Sequence, residues 1–240
     1  MTNSTFIRLA GPLQSWAALV VSGNFVRTEP APTLSALRGL LAGALGAKRG
    51  EWPSWINDVQ FTVREDKQAR FADDFQTIGS REDEWNFRRR LAITQRMKAI
   101  SVKQLAFKPA VGANAISRRT YLSDGEFIVR LTHEGHAEEI DQALSSPSFS
   151  LYLGRKAFPA TFPFYLGTGP SDLLSVIPVV DPTAAAKGSL KSKSTVRIFE
   201  TALGNGVSPA MEWVPAVANR TAWLQAVKSL NLQQRSTISA

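Results

Sequence analysis

The chain has no cysteine, which rules out disulfides, thiolate nucleophiles and Cys-based zinc sites and fits a cytoplasmic protein. Histidine is nearly as scarce. The only two, His133 and His136, lie in Thr132-His133-Glu134-Gly135-His136, which is not the i, i+4 pair of a zincin helix, and a Gly-containing turn explains them better than a metal or catalytic site. Neither a metal nor a cofactor is therefore expected. Apolar runs are short: stretches such as Gly39 to Gly46 fall far below the roughly 20 residues of a bilayer span. No charged N-terminal segment followed by an apolar one suggests export, and no basic amphipathic helix suggests a membrane partner.

Positive charge is what the chain has in excess. Lys and Arg number 28 against 20 Asp and Glu, a net charge of +8, and the pI is near 10.0, which favours anionic partners, nucleic acid above all. Ten of those cations fall between Arg81 and Arg119, opposed only by Glu82, Asp83 and Glu84, so this stretch carries seven of the net eight charges. With Trp85 and Phe87 among the charges it is a candidate arm for a polyanion, since cations contact phosphates and aromatic faces stack on bases. From charge alone, a solvated surface loop is an equal alternative.

A chain of 240 residues accommodates one or two domains. Thr5 to Ala10 reads as a strand, and Thr33 caps a helix whose Leu34, Leu37, Leu41 and Leu45 recur at helical spacing until Gly46. Gly39 and Gly43, one turn apart, predict a close approach there, most simply to a sheet. Asp58 to Arg64 and Glu126 to Leu131 alternate as strands, Glu138 to Leu144 reads as a helix, and Ser150 to Leu153 as a fourth strand. The expected fold is α+β: a ferredoxin-like, RNA-recognition-motif-like domain over 1–157, with a basic insertion at about 66–119, then a small, mostly β C-terminal subdomain over 158–240. Thr195 to Leu203 supplies a strand there and Trp223 to Leu230 a last helix.

Three segments are candidates for the site. Gly11-Pro12-Leu13-Gln14-Ser15-Trp16 follows the first strand, so Gln14 and Trp16 can project from the sheet edge to read and stack on a base; the alternative is a turn whose Trp16 is core. Asp74 to Arg81 opens the insertion and pairs hydroxyls with an arginine, or is an ordinary loop. In Leu151-Tyr152-Leu153-Gly154-Arg155-Lys156, a strand ends at a glycine that lets backbone approach a ligand, followed by two cations suited to phosphate. Tyr121, Tyr152 or a lysine could serve metal-free RNA cleavage, but no spacing singles one out.

Five pieces, in order across roughly the first 170 residues, resemble the CRISPR-associated RAMP proteins, and within them the CasD subunits of type I-E Cascade. They are Arg8 to Trp16, Pro32-Thr33-x-Ser35 leading to Gly39-Leu40-Leu41, Asp74-Phe75-Gln76-Thr77, Arg119-x-Tyr121-Leu122-x-Asp124, and Tyr152 to Lys156. The resemblance implies a non-catalytic subunit that holds the 5′ handle of a CRISPR RNA. The basic insertion becomes a thumb lying across the guide, the neighbours become the backbone subunit CasC and the large subunit CasA, and target DNA is met only through the complex. Arg27, Arg38, Arg81, Arg118, Arg119, Arg155 and Lys156 are then expected on phosphates and Gln14 and Trp16 near bases, with Ser35, Thr77, Tyr152 and Gly154 completing the RNA-binding set. The chain departs from the pattern at Leu34, where a basic residue is common and which Arg38 is placed to replace, at Ala17 and Ala36 in place of Gly, and at Gln76, where some relatives carry His. That last difference argues against nuclease action. A metal-independent endoribonuclease acting on the repeat remains the alternative.

Overall fold

In the computed structural model, which describes residues 3–16, 25–78, 115–186, 192–201, 209–230 and 232, β1 (Asn3–Ala10) is buried over all but its first residue. Both of its faces are covered. Ile7 and Leu9 point to a core shared with helices, whereas Phe6 joins a second cluster with Leu174, Ile177, Trp223 and Val227. After the short β2 (Leu13–Gln14) and β3 (Phe25–Val26) comes α1 (Leu34–Ala44), whose first turn is capped by the Thr33 hydroxyl accepting from the Ala36 amide, as its sequence predicts. Gly39 and Gly43 do not meet a sheet. Added Cβ atoms there would lie 3.6 Å from the Trp52 side chain and 3.5 Å from that of Leu151, ordinary contacts that correct the expectation.

A 3-10 turn (Ser54–Asp58) leads into β4 (Gln60–Lys67), then β5 (Arg70–Ile78), β6 (Ala115–Ser123), β7 (Glu126–Thr132), α2 (Ala137–Ser145) and β8 (Tyr165–Pro170). The remaining described elements are α3 (Leu173–Val176), β9 (Val179–Val180), α4 (Pro182–Ala185), β10 (Lys193–Glu200), β11 (Ala210–Val217) and α5 (Arg220–Ser229). One seven-stranded sheet runs β8-β1-β7-β4-β10-β11-β9. The class is thus mixed α+β. The expected fourth strand at Ser150 to Leu153 is not one: Tyr152 makes a single bridge to Pro159, and β8 fills that place beside β1. Strands on both sides of residue 157 share this sheet. No helix among the described residues is long and apolar enough to cross a membrane.

Buried ions fasten the C-terminal elements to the sheet. Arg64 on β4 is fully buried, forks onto Asp66 at 2.6 and 2.7 Å, and donates to the carbonyls of Leu174 and Ile177. Glu126 accepts from Arg8 Nε at 2.8 Å and from Arg220, and both guanidiniums lie over Trp223. Burial pushes the Glu126 carboxyl up, but the hydrogen bonds from Arg8 and Arg220 outweigh it and hold the group below the usual glutamate range. A depressed folded-state pKa stabilises above the unfolded value and loses that contribution as pH falls through the folded one. Wild type should therefore lose stability on acidification more steeply than Glu126→Gln. Urea melts at descending pH measure this, and parallel slopes would refute it.

Candidate nucleic-acid interface

The site is built on a second, smaller sheet in which β6 lies between β5 on one edge and β2 and β3 on the other. β5 and β6 pair in unbroken antiparallel register from Arg70↔Ser123 to Ile78↔Ala115. They form the stem from which residues 79–114 depart. Most of the basic stretch, with Arg81, Trp85 and Phe87, lies outside the described residues, as does the side chain of Thr77.

Because side chains alternate along a strand, the register sorts the stem into two faces. One carries Asp74, Gln76, Arg119 and Tyr121; the other carries Phe71, Asp73, Phe75, Arg118 and Thr120. Against the first packs the loop after Leu151. Leu153 and Phe158 of this loop are buried, and the Phe158 ring meets Tyr121 edge-on at 4.9 Å. Between stem and loop opens a groove of about 650 Å³ that includes Asp74, Gln76, Tyr121, Arg155 and Lys156. Three segments that the sequence singled out separately thus meet in one place.

A chain of hydrogen bonds orders that face. Gln76 Nε2 donates to Asp74 Oδ2 at 2.7 Å, the Tyr121 hydroxyl donates to the same oxygen at 3.4 Å, and Arg155 Nη1 donates to the Tyr121 hydroxyl. The Arg155 guanidinium also lies 5.4 Å over the Tyr121 ring. Its planar fork is therefore held at the groove edge, while Lys156 is exposed beside it. A phosphate can be met there by a pre-oriented fork and a mobile point charge.

Several expected roles are corrected. Gln14 and Trp16 are 0% and 1% exposed; the Trp16 indole donates to Gln14 Oε1 at 3.1 Å and Gln14 Nε2 donates to the Gly125 carbonyl at 2.7 Å. With both polar groups spent inside the protein, they form a buried turn, the alternative named for Trp16, and offer no edge to a base. Gly154 approaches the protein itself. Its φ is +83°, and a Cβ there would stand 1.6 Å from the Ser15 carbonyl oxygen, so the glycine lets the Leu153 carbonyl accept from the Ser15 amide at 3.0 Å. Arg118 is paired with Asp73, whose carboxyl that hydrogen bond holds below its usual range, and it stays partly open to solvent on the face turned away from the groove.

The other expected residues are scattered. Arg119 faces Asp74 across the stem, and its Nε is buried without a partner. Tyr152 is 43% exposed on the loop. Ser35 sits beside the Thr33 cap, Arg38 donates to the Asn57 carbonyl at 2.6 Å, and Arg27 is exposed after β3. Missed altogether was the strand character of Arg70 to Ile78 and Ala115 to Ser123. Asp73 and Asp74 in mid-strand hide the alternation of Phe71 and Phe75, which was the available signal.

Residues 6–211 match the family described as CRISPR-associated protein (Cas_Cas5). The chain belongs to this family of CRISPR-associated proteins. It is 31% identical over 187 residues, 70% of this chain and 72% of the relative, to the CRISPR system Cascade subunit CasD of Escherichia coli (strain K12). Its fold is similar to that of a chain in a CRISPR RNA-guided surveillance complex, with a TM-score of 0.70, 24% identity and coverage of 94% of this chain and 100% of that one. A second similar structure, described as a Cas protein, gives a TM-score of 0.52 at 24% identity, covering 88% and 95%.

Proposed function

We propose that the chain is a non-catalytic RNA-binding subunit of a type I-E Cascade complex, acting in the cytoplasm, that holds the 5′ handle of the CRISPR RNA in the groove between stem and loop. The observation that carries this reading is the Arg155 fork fixed on Tyr121 beside exposed Lys156. Membership in such a complex is supported by the identity to the Cascade subunit CasD. The first four strands stand in the order β8-β1-β7-β4, fourth-first-third-second, which is the order of a ferredoxin-like core and supports RNA recognition on that scaffold. Residues 79–114, which join β5 to β6 in the chain, act as the thumb that meets the guide and the CasC neighbour, and CasA recognises target DNA alongside.

Placement of the histidines favours binding over cleavage. His133 and His136 follow β7, at the opposite end from Gly125 and the groove; seven strand residues separate those ends, about 23 Å of chain. His136 stacks on Trp55 at 4.3 Å and pairs with Glu139 at 2.9 Å. No imidazole therefore stands beside the groove as a general base. Labelled repeat RNA incubated with the full chain in chelator should remain intact on a denaturing gel. A specific cut would overturn the non-catalytic reading in favour of a metal-independent endoribonuclease.

A further inference from the structure

The stem face turned away from the groove carries a row of its own. Phe25 on β3, Arg118 on β6 and Phe75 on β5 are register partners across three adjacent strands, so they stand side by side about 5 Å apart. The Arg118 guanidinium lies 6.0 Å from the Phe25 ring centroid and 5.4 Å from that of Phe75. Asp73 neutralises it. Both rings are open to solvent, Phe25 by 48% and Phe75 by 66%, and Phe71 further along β5 is 60% exposed. Exposed phenyl rings grouped on so small a sheet mark a binding surface.

We propose that this row is a stacking platform for the bases of single-stranded nucleic acid, distinct from the groove that takes phosphates. The proposal rests on the RNA-binding reading above. Paired with Asp73, Arg118 stands within cation–π distance of both flanking rings and joins them into one row. Bases of any identity can lie on such rings, because every base has a π-face. Charge selects the occupant. The stem bears the segment that contributes most of the chain's net positive charge, and this draws a polyanion to the platform rather than an apolar protein surface.

The test uses the full chain and two single-stranded probes of equal length, oligoadenylate and an oligomer of abasic nucleotides, read by fluorescence anisotropy. Phe25→Ala with Phe75→Ala should weaken oligoadenylate binding by about fivefold or more per ring. Its affinity for the abasic probe and its salt dependence should not change. Phe75→Trp and Phe75→Tyr, which keep an aromatic ring at that position, should both retain binding. Equal losses on both probes, or no loss at all, would overturn the platform while leaving the groove intact. A wild-type chain that binds neither probe would overturn the platform and the RNA-binding reading together. Loss of a protein partner on Phe75→Ala with oligoadenylate binding unchanged would reassign the face to protein docking and overturn the proposal.

Discussion

Replacing Arg155 and Lys156 together by alanine should reduce affinity for single-stranded repeat RNA by at least about a hundredfold, because each charged hydrogen-bond donor contributes roughly 1.5 kcal/mol or more. Salt dependence gives a second readout. With about five phosphates neutralised, wild-type affinity should fall roughly a hundredfold between about 50 and 200 mM salt, and loss of two contacts should flatten the log–log slope by about 1.4. Arg155→Lys with Lys156→Arg keeps the charge and should keep the slope, while losing the part of the affinity that depends on the fork held over Tyr121. An alanine pair that binds with unchanged affinity and slope would remove the groove from the RNA path. The change touches an exposed lysine and a half-buried arginine, so thermal unfolding should move little.

Arg64→Met should cost about 3–5 kcal/mol, the usual consequence of leaving one member of a buried pair uncompensated. In a protein of this size that lowers the melting temperature by about 10 °C. Burial already pushes the Asp66 carboxyl up, against the pull of Arg64. Without Arg64 the rise is larger. A carboxyl whose folded pKa is raised above its unfolded value stabilises at low pH and loses that contribution as pH rises through the folded pKa. Arg64→Met should accordingly recover stability on mild acidification, and adding Asp66→Leu should recover most of it at neutral pH. If Arg64→Met melts with wild type, the latch from β4 to the Leu174 and Ile177 carbonyls is not what fastens the C-terminal elements.

How much was legible followed the range of the interaction. α1 and its Thr33 cap, the strands around Phe61 and Val129, α2 and α5 are written in local periodicity and capping, and each occurs within a few residues of its expected bounds. The fourth strand was displaced because Leu151 to Leu153 has strand-like residues, but Gly154 turns the chain at positive φ into contact with Ser15. A glycine reads alike whether ligand or protein lies against it. For Gln14 and Trp16 the residue types suited base reading, but their polar atoms satisfy each other and Gly125, which no spacing announces.

By itself the sequence determined the α+β class, the concentration of positive charge between Arg81 and Arg119, and the resemblance to CRISPR-associated RAMP proteins, because composition, local periodicity and short motifs are all carried by neighbouring residues. Tertiary structure alone decided which of the chain's cations gather where. It paired Arg118 with Asp73 between two open phenyl rings and set Arg155 on Tyr121 above a groove. The reason is register: the pairing of β5 with β6 assigns each alternate side chain to one face or the other, and a shift of one residue would exchange the two faces.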